Sequence, residues 1–411
     1  MIDIANPRSP PAVSMMETPG VAREVAVSGS YAYVAAEVFG GPGFLVISIA
    51  DPANPSLVTG LDTPGYEEAL AVAGTFAYVA TNGSGYGYGS SLHVIDVSNP
   101  AVPRMLGSAD TQGNANDVFI AGDYAYVAVG EDGLRIFNIS DPEHPRVESG
   151  SEMPSLALGV AVAGNYAYVA DWDSGLVVLD ISHLAYPRKI GKVATPGFAR
   201  DVAIQGNYAF VADSYGLAVI DVSDPASPWI AGIVDTGGWG LDVALSGDLA
   251  YVTDGYCGLH VIDISNPIIP KIIGTHVTAG NAETAVCAGD YVYLSATESL
   301  IDLEIVPAQC KTTTGVPDRA LASGAVRVYP NPGSSDALID PGLRETGPVH
   351  VAVYDSGGRR VRELHSGILP AGAPLRWDGR DERGAVVTAG VYFIRASTPS
   401  TDTVVRLVRL P

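Results

Sequence analysis

Residues 208–228 read YAFVADSYGLAVIDVSDPASP. Two apolar runs, YAFVA (208–212) and LAVIDV (217–222), flank a short Asp-Ser-Tyr-Gly connection. Asp224-Pro225 and Pro228 then break the pattern. Upstream, DVAI (201–204) leads into Gly206-Asn207, a hairpin signal; downstream, residues 230–235 resume the apolar run. Short runs of Val, Ile and aromatic residues bounded by turn residues form strands. The segment therefore predicts four short strands: A at 201–204, B at 208–212, C at 217–222 and D at roughly 230–235.

The unit repeats. YAYVA or a variant starts at Tyr31, Phe76, Tyr124, Tyr166, Tyr208, Leu249 and Tyr291, at spacings of 45, 48, 42, 42, 41 and 42 residues. The second string returns as LHVIDVSNPAVP (92–103) and LHVIDISNPIIP (259–270), with relatives at Leu45, Leu134 and Leu176 and a decayed copy at Leu300. Four strands per ~42-residue repeat describe a propeller blade, whereas stacked β-solenoids use shorter repeats. The chain opens on MIDIANPRSP, which matches VIDISNPxxP, and residues 11–18 supply a strand D with no A or B before it. Residues 283–305 supply A, B and C with no D. The N-terminal strand is thus expected to complete the last of seven blades and hide both sheet edges. Ile2 to Ile4 is then a surplus strand C, which is explained if the sequence begins upstream of Met1, behind an export signal that is not visible here.

GLAVIDVSDP and its copies resemble the LVIVD repeat, a bacterial and archaeal repeat of secreted or surface β-propellers. The resemblance covers residues 1–305, implies the fold and a secreted or cell-surface setting, and carries no activity. From Val326 the text changes to VRVYPNP (326–332), VHVAVYDSGGRRVREL (349–364), LRWDGRDERGAVVTAGVYFIRAS (375–397) and TVVRLVRL (403–410). Alternating apolar residues between Gly-rich turns describe a small β-sandwich. Through YPNP and Trp377, Asp378, Gly379, Asp381, Gly384, Gly390, Val391 and Tyr392, this part is similar to the Ig-like domain of flagellar hook-capping proteins and to type IX sorting domains. That likeness implies export, anchoring or spacing. The expected architecture is all-β: a seven-bladed propeller of four-stranded blades over 1–305, a linker over 306–325 and an Ig-like β-sandwich over 326–411.

Composition agrees and excludes. Of 411 residues, 47 are Gly and 29 Pro, a turn-rich makeup. The net charge is −22, with 11 Lys/Arg against 35 Asp/Glu in residues 1–317 and 12 against 10 beyond. Such a chain repels nucleic acid and anionic lipid, and no apolar run is long enough to span a membrane. A monomer is expected. Three cysteines, Cys257, Cys287 and Cys310, form no C-x-x-C, so neither a disulfide framework nor a Cys-based zinc site is expected. The seven histidines show no ligand spacing; His93 and His260 read as strand-surface residues. No P-loop, Rossmann or G-x-S-x-G motif occurs, and GSGYGYGSS (83–91) reads as an inserted loop. Asp96, Asp180, Asp221 and Asp263 recur blade after blade, as turn-bonding residues would and a catalytic acid would not.

Two sets stand out. Glu24, Glu68, Asp117, Asp201, Asp242 and Glu283 lie seven or eight residues before their anchors, at the start of strand A; only the blade with Gly159 lacks one. Strand A lines the channel of a propeller, so these six define a candidate axial ring for Ca²⁺ or another divalent cation, or else pair with backbone amides. The second set is aromatic. The D–A loops carry Tyr66, Phe198 and Trp239, and the B–C loops Phe39, Tyr86, Tyr88, Trp172, Tyr215 and Tyr256, on one face of the ring. With Asp171, Asp173, Asp213 and Asp254 interspersed, they suit stacking and polar recognition of an extracellular glycan or protein. The reading favoured by near-repetition is a non-enzymatic binding or adhesion module without a definite cofactor. A metal-assisted lactonase- or lyase-like enzyme using the axial carboxylates and a rigid envelope spacer remain as alternatives.

Overall fold

The computed structural model describes residues 12–38, 41–83, 89–278, 280–297, 303–307, 327–329, 337–340, 347–355, 359–370, 375–388, 390–398 and 402–409. Two compact units divide the chain, 1–311 and 312–411.

The first unit is a ring of seven four-stranded antiparallel sheets. Blade 5 runs Ala199–Gln205 (A), Tyr208–Asp213 (B), Gly216–Asp221 (C) and Trp229–Asp235 (D), in the meander order A-B-C-D. Strands A of blades 1 to 7 are Val21–Ser28, Tyr66–Ala73, Asp117–Ala121, Ala157–Ala163, Ala199–Gln205, Asp242–Ser246 and Asn281–Ala288. Each packs against strand A of the next blade, and that of blade 7 packs against that of blade 1. Strand D of blade 7 is Ser14–Met16, paired antiparallel with Leu303–Pro307 in the register Ser14↔Ile305 and Met16↔Leu303. Closure by the N-terminal strand is therefore present, and the last strand C runs two residues past the boundary expected from the sequence. The expected surplus strand at residues 2–4, Cys310 and nearly all of the linker lie outside the described residues.

The core lies between blades. The third anchor residue of each blade (Tyr33, Tyr78, Tyr126, Tyr168, Phe210, Tyr251 and Tyr293) is buried. Phe210 packs with Val243 and Val252 of blade 6, and Tyr293 packs with Val25 and Val34 of blade 1. Each such ring contributes about 1.5–3 kcal/mol by burial. Asp96, Asp180, Asp221 and Asp263 accept the amides of Ser98, Ser182, Ser223 and Ser265 at 2.9–3.0 Å, which explains their recurrence as C–D turn bonds. His93 and His260 are buried rather than on a strand surface. His93 donates from Nε2 to the carbonyl of Pro64, in the D–A loop that leads into its own blade, at 3.0 Å.

The second unit holds a sheet in the order Arg360–Leu369, Gly347–Asp355, Gly390–Ser397, Asp402–Arg409, and a three-stranded sheet of Arg327–Tyr329, Ala337–Asp340 and Leu375–Trp377. Both contribute to one core around Trp377, which meets Tyr392 edge-on at 5.3 Å. The motif residues are structural: Trp377 Nε1 donates to the Arg380 carbonyl at 2.8 Å, and Asp381 accepts the Arg383 and Ala385 amides at 2.9 Å.

Candidate functional site

The six strand-A carboxylates do not share one level. A β-bulge interrupts the A–B pairing at Arg23, Glu68, Leu158 and Arg200, and across Glu283-Thr284. Glu24 and Asp201, just after the bulge, pair with Ala35 and Ala212, and Asp117 and Asp242, which begin their strands without one, pair with Ala128 and Thr253; all four partners are fifth anchor residues. Glu68 and Glu283 sit on the bulge itself. An inserted residue shifts the strand register and re-aims the side chain. The expected single ring is thus two tiers, one of four carboxylates and one where Glu68 and Glu283 share the bulge position with Arg23 and Arg200.

The four converge, since Glu24 feels the charges of Asp117 and Asp201, and Asp242 those of Asp201 and Glu24. Their side chains also tie the blades together. Asp117 accepts the Val160 amide of blade 4 at 2.7 Å, Asp201 the Val243 amide of blade 6 at 3.0 Å, and Asp242 the Ala285 amide of blade 7 at 2.8 Å. The innermost strand is an edge with unpaired amides, and these carboxyls satisfy them. Burial, followed for three of the four by mutual repulsion, raises their pKa values; that of Asp117 reaches about 7. The contact between Asp201 and Asp242 favours the charged form of Asp201 and raises Asp242 further. Blade 4 has Gly159 because a Cβ there would stand 2.7 Å from the Asp201 Cα. Among the described residues, no group of three or more His, Cys, Asp and Glu is placed to hold a metal ion.

The bulge tier carries the only two cationic side chains of the inner strands, Arg23 and Arg200. Arg23 Nη2 pairs with Glu37 at 2.6 Å. Arg200 makes no ion pair or side-chain hydrogen bond among the described residues, and its Nε is buried without a partner. Its guanidinium carbon lies 4.9 Å from the Trp172 ring centroid and 5.7 Å from that of Trp239. Glu283 acts on it from beyond ion-pair distance and is itself held by Asn281 and Thr297 at 2.6 and 2.9 Å. Burial lowers the Arg200 pKa, yet an arginine remains charged.

Around Arg200 the structure assembles the aromatic set of blades 4 to 6. Trp172 stacks on Phe198 at 4.6 Å and 7°. Phe198, Tyr215, Trp239 and Tyr256 are 41, 53, 56 and 74% exposed, so these rings are presented rather than packed between blades. Tyr66 lies in blade 2, away from the cluster, and Phe39, Tyr86 and Tyr88 lie outside the described residues. Asp171, Asp213 and Asp254, expected as polar contacts for a ligand, are buried. Asp171 accepts the Ser155 amide at 3.1 Å, and Asp213 those of Gly197 and Tyr215 at 3.1 and 2.8 Å, so both hold the loops that carry the rings.

Trp172 has φ +42°, a region unfavourable for a bulky residue. The matching B–C positions are Gly130 in blade 3 (φ +56°) and Gly255 in blade 6 (φ +52°). All three form the same bridge to the next blade, with Ala157, Ala199 and Ala282. Blade 4 thus accepts strain on the order of 1–3 kcal/mol to place an indole where its neighbours use glycine. Sequence reading passed over Arg200. Its signal was the rarity of cations in an acidic propeller, together with its place between an aromatic loop residue and the strand-A carboxylate.

The LVIVD repeat model matches residues 19–63, 64–111, 112–151, 156–195, 196–236 and 237–278, more than half of the chain. The chain belongs to the LVIVD-repeat family. The FlgD Ig-like domain model matches residues 343–402 of this LVIVD-repeat protein. No curated protein matches it. Among solved structures, it is similar to the Cps50 (Swd1) β-propeller domain of Myceliophteria thermophila, with TM-score 0.58 and 10% identity over 73% of this chain and 100% of that one. A chain of a mitotic checkpoint complex gives TM-score 0.58 and 13% identity over 74% and 96%. The computationally designed Ika8 protein gives 0.52 and 10% over 72% and 98%. At these identities the likeness shows the propeller fold alone.

Proposed function

We propose that the LVIVD propeller is a non-enzymatic binding or adhesion module that takes a glycan or protein on the D–A and B–C loop face of blades 4 to 6. The observation that carries this reading is the set of exposed rings on the loops of blades 4 to 6, Phe198, Tyr215, Trp239 and Tyr256, with Trp172 stacked on Phe198 and the Phe198 and Tyr215 loops held by buried Asp213. Exposed aromatics on a rigid scaffold offer large contact area at low entropic cost. The strand-A carboxylates are read as inter-blade fasteners, supported by their bonds to neighbouring amides. We read the protein as secreted or surface-displayed, with the second unit as export, anchoring or spacing element, a reading supported by the FlgD Ig-like match.

The test is binding of the full chain to an array of neutral and acidic glycans, beside Trp239→Ala/Tyr256→Ala. The expected result is a loss of signal of about tenfold or more at an unchanged melting temperature. Equal signals from both proteins would move the site off this face. Release of cleaved sugar on incubation would overturn the non-enzymatic reading.

A further inference from the structure

Arg200 is an anomaly on its own terms. A guanidinium is costly to desolvate and is normally paired. This one belongs to a unit of residues 1–311 that carries 35 acidic side chains, yet among the described residues no carboxylate comes within ion-pair distance. The nearest acidic influence, Glu283, is turned to Asn281 and Thr297. The local structure is arranged to keep it so. Trp172 holds a strained backbone where blades 3 and 6 have glycine, and its ring lies against the guanidinium. Trp239 approaches the guanidinium from the next loop, with Gly238 and Gly240 on either side. The close packing at Gly240, where a Cβ would meet the Gly216 carbonyl oxygen at 2.5 Å, fixes that loop. Aromatic faces orient a guanidinium without neutralising it, which leaves its charge and its donor fork available to a planar anion.

We propose that Arg200 is the anion-recognising residue of this face and that its ligand is an acidic sugar: a saccharide unit whose single carboxylate meets the guanidinium while its C–H face lies on Trp239 and the neighbouring tyrosines. This inference rests on the binding-face reading above. One unpaired cation in a strongly acidic surround selects a ligand with one anionic group over a polyanion, which the rest of the unit repels. The recognising group is a side chain framed by aromatic plates. Peptide chain ends are instead captured in nests of backbone amides, so the arrangement favours a sugar over a peptide carboxylate.

Tryptophan fluorescence of the full chain would be titrated with oligosaccharides ending in glucuronic acid, with the matched series ending in glucose, and with a peptide ending in a free carboxylate. The acid-terminated series should bind preferentially, with affinity falling as salt rises. Arg200→Gln should weaken it by about tenfold or more, Arg200→Lys should recover part, and Trp239→Ala should weaken both series. Among the described residues Arg200 has no ion-pair or hydrogen-bond partner to lose, so circular dichroism of Arg200→Gln should match the parent and its melting should change little. Equal binding of acidic and neutral sugars, or an unchanged affinity in Arg200→Gln, overturns the anion assignment while leaving the face intact. Sugar binding that persists in Trp239→Ala/Tyr256→Ala overturns the face. Tighter binding of the peptide than of any sugar overturns the saccharide class, and no binding of any acid-terminated sugar overturns the proposal outright.

Discussion

Arg23 and Arg200 occupy the same position of the same strand in blades 1 and 5, yet they are built into opposite situations. Arg23 is paired with Glu37 and lies in the fields of Glu68 and Glu283, so its charge is spent inside the protein. Arg200 has aromatic neighbours instead of acidic ones and keeps its charge. One quarter of the mouth is closed on itself electrostatically and another is left open. A propeller makes such a contrast easy to see, because each blade serves as a control for the others. Beneath both quarters runs the tier of Glu24, Asp117, Asp201 and Asp242, where the carboxyls bond the next blade rather than a ligand.

The largest effect is expected in that common lower tier. Asp201→Ala leaves the Val243 amide without its acceptor, whereas Asp201→Asn keeps an acceptor and removes a charge. Asp201→Ala should therefore be less stable than Asp201→Asn by about 1–3 kcal/mol, read by chemical denaturation of the full chain. Acidity acts in a definable direction on the same tier. These carboxyls have pKa values above those of an unfolded chain, so the folded state binds more protons between about pH 4 and, for Asp117, about 7. Their contribution is complete below the unfolded value and is lost as pH rises through the folded one. The propeller should melt higher at pH 5 than at pH 8, and Asp117→Asn should reduce that difference. A flat response in the parent would contradict the buried, mutually repelling arrangement.

The next effect separates the two arginines. Arg23→Gln leaves Glu37 unpaired beside Glu68 and should cost about 1–2 kcal/mol, allowing for screening of a pair that is about one-third exposed. Arg200→Gln removes no ion pair, only the two ring contacts, against which the relief of a desolvated charge is set, and should cost less than about 1 kcal/mol. Equal costs would erase the contrast and give Arg200 a structural role.

The fold was legible because repetition and turn chemistry agree: seven anchors at nearly constant spacing, Asp-Pro breaks and a split last blade all specify one ring. The tiers were legible only in part. Asp117, Asp201 and Asp242 stand seven residues before their anchors, and Glu68 and Glu283 stand eight. That single residue is the bulge, and a strand pattern read without it places both groups on one level. The aromatic cluster was visible as residue types on shared loops, but its centre was not. The role of Arg200 depends on what fails to approach it, and the strain at Trp172 depends on a backbone angle; neither is written in local sequence.

The smallest effect tests whether that strain serves the open quarter. Trp172→Gly gives blade 4 the residue that blades 3 and 6 use at φ +56° and +52°. Relief of the left-handed conformation should recover about 1–2 kcal/mol, and loss of the Phe198 stack should cost about 0.5–1.5 kcal/mol beyond the lost burial. The two nearly offset, so the net change should be the lost burial of a partly buried ring, a destabilisation of about 1 kcal/mol, measured by urea unfolding. The stack and the indole face against Arg200 disappear together, so binding of acid-terminated sugars should fall even though the scaffold holds. A variant that loses several kcal/mol would show that Trp172 is kept for packing. One that keeps both stability and binding would show that the indole supports neither, and that Arg200 is held open by Trp239 alone.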